Sequence, residues 1–159
     1  MNVEHLNPFV GAASSVIEAV LGQTPVKGDL SVQPSNTTHQ QVNIVCGITG
    51  ELVGQVIYGM SLVTADRVAS VMIGKPIKVF DHLAASAIAE LGNIISGHAL
   101  QRLSDMGIRC DITPPSLIRG TKVEINMLAM PSIVVPFNTP QGEISVAIGL
   151  VESKKEKAA

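Results

Sequence analysis

DHLAASAIAELGNIISG, residues 81–97, is the stretch on which the fold of this chain turns. At about 100° per residue, Ala84, Ile88, Leu91 and Ile95 gather on one side of a helix. Ser86, Glu90, Asn93 and Gly97 fall within about 60° of one another on nearly the opposite side. The apolar side must bury against a core, so the polar stripe must face outward. The pattern runs on to Asp105, with Gly107 just beyond, and predicts one long helix from about Asp81 to Asp105.

Upstream of that helix, Ala65, Val68, Ala69 and Met72 predict a shorter one, capped by Ser61 or Thr64 and closed by Gly74-Lys75-Pro76. Before it lie three β-branched or alternating runs, Val26 to Val32, Val42 to Ile48 and Leu52 to Gly59. Pro34-Ser35-Asn36 and Thr49-Gly50 separate them, and the second and third read as a hairpin around Gly50. A first helix is expected from about Phe9 to Leu21, with Asn7 as its N-cap, Pro8 at its first position and Gly22 as its stop. Downstream, strands are expected at Arg109 to Thr113, Lys122 to Met130, Ile133 to Phe137 and Glu143 to Val151, broken at Pro114-Pro115 and Pro140-Gln141-Gly142. Residues 152–159 read as a charged, frayed tail behind a single domain of residues 1–151. The order of elements and the hairpin-length links predict an α+β fold: a mostly antiparallel sheet with the helices on one face.

The bulk numbers narrow the function classes. The chain has 159 residues, 46% of them hydrophobic and 15% charged, which is enough to build a core without disulfides or metal. A net charge of −2 gives no electrostatic footprint for nucleic acid or an anionic membrane. Aromatics make up 3% of the chain and Trp is absent, which disfavours base stacking and an aromatic-lined pocket. Cys46 and Cys110 read as buried, reduced thiols. No signal peptide or spanning apolar run is recognisable, so a soluble cytoplasmic protein is expected.

Several familiar chemistries find no motif. His5, His39, His82 and His98 lack partners at zinc-ligand spacing, and His98 turns towards the buried side of the long helix. Gly74-Lys75 runs into Pro76, with Ala69 where a P-loop glycine belongs. There is no G-x-S-x-G elbow for a serine nucleophile.

The outward stripe therefore carries the functional signal. Exposed Glu and Asn on a helix are most often merely solvated. Here, however, Asn is a poor helix former, and Gly92 and Gly97 each cost roughly 1 kcal/mol relative to Ala. Such concessions beside Glu90 and Asn93 suggest a surface flattened for close approach of another backbone.

Ser86-xxx-Glu90-xx-Asn93, within Ala87-Ile88-Ala89-Glu90-Leu91-Gly92-Asn93, resembles the signature helix of the CheC/CheX/FliY phosphatases of bacterial chemotaxis. Gly47-Ile48-Thr49-Gly50, Ser70-Val71-Met72-Ile73-Gly74 and Asp111-Ile112-Thr113-Pro114-Pro115 resemble the CheX branch in particular, in order along nearly the whole chain. The resemblance implies removal of phosphate from the aspartyl phosphate of a CheY-like receiver. It implies that Asn93 orients the attacking water, that Glu90 pairs with the receiver's lysine, and that Ser86 and Gly97 contribute partner contacts. It implies no cofactor of the chain's own, with Mg2+ in the receiver's site, and it implies a homodimer and an internal pseudo-repeat. The competing reading is a non-catalytic receiver-binding or flagellar-switch adaptor that docks the same stripe without turnover.

Glu4-xx-Asn7-xxx-Gly11 repeats the spacing of Glu90-xx-Asn93-xxx-Gly97. With Pro8 directly after Asn7, this echo reads as a helix cap rather than as a second working site.

Overall fold

A computed structural model describes residues 2–33, 40–121, 123, 125 and 131–153. Three helices and eight strands follow in the order α1 (Val3–Leu21), β1 (Val26–Lys27), β2 (Ser31–Gln33), β3 (Val42–Gly50), β4 (Leu52–Met60), α2 (Leu62–Ile73), α3 (His82–Asp105), β5 (Cys110–Ile112), β6 (Ser116–Arg119), β7 (Ser132–Thr139) and β8 (Gly142–Glu152). The strands form one sheet in the order β1-β7-β8-β4-β3-β5, with β2 beside β1 on β7 and β6 beside β5 on β3. Every ladder is antiparallel among the described residues. The α+β expectation holds.

One core joins the layers. Ile44, Cys46, Tyr58, Met60, Val135, Phe137, Ile144 and Val146 point from the sheet into the apolar faces of all three helices. Among the described residues, the opposite face of the sheet carries only a small cluster, Ile57 and Ile125 with Val45, Val123 and Ala147 around them. Because side chains alternate along a strand, this asymmetry is what places the helices on one face.

The sheet has a hidden order. Helix, short edge pair and hairpin occur twice, as α1-β1-β2-β3-β4 and as α3-β5-β6-β7-β8, with α2 between. The strand order reads the same from both ends, with β4 and β8 at the centre. Each half lays its short edge strands on the other half's hairpin, which makes α1 the counterpart of α3.

The helix ends show where local chemistry decides. Asp81 caps α3 by accepting from the Ala84 N–H at 3.0 Å. Ser61 caps α2, accepting from the Thr64 N–H, and Gly74 ends it at φ 84°.

Four expectations need correction. First, α1 starts at Val3, not Phe9. Asn2 is its N-cap, so Asn7 is not a cap and Pro8 sits inside the helix. A proline there removes only the bond to the Glu4 carbonyl, and burial of Leu6, Pro8 and Phe9 offsets that loss. Second, the run at Val26 to Val32 is two strands. The register on β7 slips by one residue between Lys27↔Phe137 and Ser31↔Val134, a bulge opposite Pro136, which has no N–H for the ladder. The Gly28 N–H donates to the Pro136 carbonyl at 2.8 Å and bridges the gap.

Third, the strand breaks at Pro114-Pro115 as expected, but a further strand, β6, follows the prolines where none was expected, and β5 and β6 both pair with β3. Fourth, Glu152 belongs to β8, paired with Leu52, rather than to a tail. The expected turn at Pro34-Ser35-Asn36 and residues 154–159 lie outside the described residues. So does most of the expected strand at Lys122 to Met130; of it, Val123 and Ile125 are described, and neither is in a strand.

Candidate functional site: the outward edge of α3

Helix α3 lies against β3 and the two short strands beside it, flanked by α1 and α2. Ala84, Ile88, Leu91, Ile95, Ala99 and Leu103 are buried on its inner side. Glu90, Ser86 and Gly97 are exposed on its outer side, and Asn93 is half-buried at the margin. The helix therefore presents all four predicted residues together along one edge.

Among the described residues, the Glu90 and Asn93 side chains have no hydrogen-bond or ion-pair partner. A carboxylate and an amide, with their acceptors and donors free, stand on a rigid 24-residue helix. The two lie at i and i+3, so both can enter one shallow depression on a partner.

The two glycines divide. A Cβ on Gly92 would meet Ile44 Cγ2 at 2.8 Å and Tyr58 Cδ2 at 3.1 Å, so Gly92 faces the sheet. Its reading as part of a flattened outer surface is corrected: it lets the helix lie close to its own sheet. A Cβ on Gly97 would meet nothing within 4 Å. Gly97 is bare surface next to the Glu90–Asn93 edge, as expected of a residue that leaves room for a partner. His98 is exposed rather than turned inward, a second correction.

The echo on α1 differs in one respect. Glu4 and Asn7 are helical, as Glu90 and Asn93 are, and both are exposed, whereas Asn93 is half-buried. The guanidinium of Arg102, however, lies over Gly11, where a Cβ would run into its Nη1, and it donates to the Ser15 hydroxyl at 3.2 Å. The spot that is open beside Asn93 is covered beside Asn7.

Two features escaped the sequence reading. Leu83 is 52% exposed and lies seven residues before Glu90, hence on the same edge of α3. Its spacing was visible, but an apolar residue is not sought on a polar stripe. The other is a buried polar group beneath the helix. The Tyr58 and Ser96 hydroxyls lie 2.7 Å apart, and the buried Cys46 thiol lies close to Ser96. Burial pushes the Tyr58 phenol and the Cys46 thiol up, each partly offset by Ser96. Cys46 is buried as expected, whereas Cys110 is only half-buried.

The chain has well-defined relatives. The family model described as chemotaxis phosphatase CheX matches residues 42–138, a span that contains the whole of α3. The chain belongs to the CheX family. A CheY-P phosphatase CheX of Thermotoga maritima is 36% identical over 130 residues, 79% of this chain and 81% of that protein. A crystal structure of a chemotaxis protein CheX of Desulfovibrio desulfuricans superposes with a TM-score of 0.84 at 32% identity, over 93% of this chain and 99% of that one. The CheX of Borrelia burgdorferi, solved in complex with CheY, BeF3 and Mg2+, superposes with a TM-score of 0.81 at 30% identity, over 95% and 100% of the two chains. This member of the CheX family presents an outward Glu90–Asn93 edge on a long helix. No described helix is long and apolar enough to cross a membrane.

Proposed function

We propose that this chain hydrolyses the aspartyl phosphate of a CheY-like receiver, with Asn93 orienting the attacking water and Glu90 pairing with the receiver's lysine. The observation that carries this reading is the unpartnered Glu90–Asn93 edge beside bare Gly97, in a chain of the CheX family.

The chemistry suits these residue types. Water attacks phosphorus in line, the phosphorus–oxygen bond to the aspartate breaks, and the aspartate leaves as carboxylate. The receiver supplies Mg2+ and a lysine to stabilise the transferring group. What remains is to hold one water in line, and the Asn93 carbonyl oxygen accepts a hydrogen bond from it. An amide takes no proton at neutral pH, so the water's proton passes to the phosphate product. Glu90 is an acceptor-only carboxylate, matched to an ammonium. Ser86 adds a peripheral polar contact, Gly97 leaves room for the receiver's backbone, and Leu83 adds apolar area at the far end of the edge.

The test is decay of a phosphorylated receiver from the same genome. Wild type accelerates decay. Asn93→Ala lowers kcat by about 10²-fold with little change in half-saturation. Glu90→Ala chiefly raises the half-saturating receiver concentration. A double variant as fast as wild type would sink the mechanism. A wild type that binds the phosphorylated receiver without accelerating decay would make the chain an adaptor.

A further inference from the structure

We infer that Tyr58 and Ser96, buried beneath α3, are positioning residues that set the helix's rotation and thereby place Asn93 for its task. The inference rests on the function proposed above and adds to it the part of the molecule that aims the amide.

The geometry is a two-point clamp. The edge of the Tyr58 ring lies under Gly92, where a Cβ would come within 3.1 Å of Cδ2. The hydroxyl of the same ring lies 2.7 Å from the Ser96 hydroxyl, one turn further along the helix. Ser96 is fully buried, so its hydroxyl has no water to turn to in place of Tyr58. The other buried residues of α3 are Ala, Ile and Leu, whose contacts are non-directional and tolerate a small roll. The Tyr58–Ser96 bond is directional and does not.

Asn93 lies in sequence between the two clamped points and stands about 60° around the helix from Ser96. A helix with its side chains has a radius of about 5–6 Å, so a roll of about 10° carries a side-chain tip roughly 1 Å. A misplacement of about 1 Å is enough to cost up to 10²-fold in a reaction that depends on alignment. The clamp thus acts on the quantity that in-line attack is most sensitive to.

A purely structural role makes a different prediction, which the double variant exposes. Ser96→Ala leaves the Tyr58 hydroxyl buried without its partner. Tyr58→Phe leaves the Ser96 hydroxyl buried without the phenol. Removing both hydroxyls leaves neither Tyr58 nor Ser96 an orphaned group, so stability returns towards wild type. The directional bond is still missing, so alignment does not return.

The experiment measures kcat, half-saturation and melting temperature for wild type, Tyr58→Phe, Ser96→Ala and the double variant, with Asn93→Ala alongside. The expected result is a kcat lowered about 5–10-fold in all three clamp variants, half-saturation within about twofold, and a melting temperature that falls in Ser96→Ala and recovers in the double variant. A kcat that recovers with the melting temperature, or never changes, overturns the inference. A wild type that does not accelerate decay sinks the proposed function instead. The side-chain amide resonance of Asn93 then decides the clamp separately. It shifts in the double variant more than the exposed Gln101 amide does if the helix has rolled, and a stationary Asn93 resonance overturns the inference whatever the activity.

Discussion

Tyr58 and Cys46 are side chains whose acid–base behaviour the fold displaces, and both lie under the helix rather than on it. Burial lifts the phenol from its ordinary 10.0 and the thiol from its ordinary 9.0. The folded chain keeps both protonated at pH values where the unfolded chain releases the protons. Their contribution to stability is therefore complete below pH 9.0 and is lost as pH rises beyond it. The urea midpoint should stay flat from neutrality to about that value and then fall, and Tyr58→Phe should make the fall shallower. A midpoint in Tyr58→Phe that falls as steeply as in wild type would show that the phenol takes no part. Little of this was legible in the sequence. Cys46 could be placed in the core from its apolar surroundings. Nothing local marks Tyr58 and Ser96, 38 residues apart, as partners, and a serine in a helix gives no hint of what lies beneath it.

Helix α3 was the most legible element, because eight apolar and polar positions in DHLAASAIAELGNIISG repeat at one period and Asp81 supplies a cap. Its two glycines were less so, since periodicity gives an angle but not a neighbour. They now support a paired prediction. Gly92→Ala drives a methyl into Ile44 and Tyr58 and should lower stability by about 1–3 kcal/mol, read by urea denaturation. Gly97→Ala meets nothing and should raise stability by up to about 1 kcal/mol, while weakening receiver binding several-fold by filling the gap beside Asn93. Unchanged receiver affinity in Gly97→Ala would remove that residue from the docking edge. The start of α1 was misread because Asn7-Pro8 is a strong capping pattern, and only the burial of Leu6 and Pro8 shows why the helix begins earlier. β6 was missed because a double proline ends most strands. Here it interrupts an edge that β3 continues to pair on both sides.

The mirror order of the sheet governs the whole molecule. It makes α1 and α3 counterparts and explains why Glu4-xx-Asn7 echoes Glu90-xx-Asn93. The symmetry stops at Arg102, which covers Gly11 on one side while Gly97 stays bare on the other. Glu4→Ala combined with Asn7→Ala should leave receiver dephosphorylation within about twofold of wild type. A rate cut to the level of Asn93→Ala would mean that α1 carries a working site after all. Spacing alone revealed the echo, but only the packing of an arginine from another helix separates the two copies.

The central ladder has a consequence for the chain's synthesis. β4 is held on one side by β3, next to it in sequence, and on the other by β8, where Met60 meets Ile144 and Leu52 meets Glu152. The middle of the sheet is thus completed by a strand that leaves the ribosome after all the others. Until then, β4 and β7 each present an open, apolar edge to the cytosol, the kind of surface that pairs with any strand it meets. A chain cut before Gly142 should accumulate as aggregate, recovered in the pellet rather than the supernatant. Holdase chaperones should contact the nascent chain most during the interval between the release of β4 and the arrival of β8.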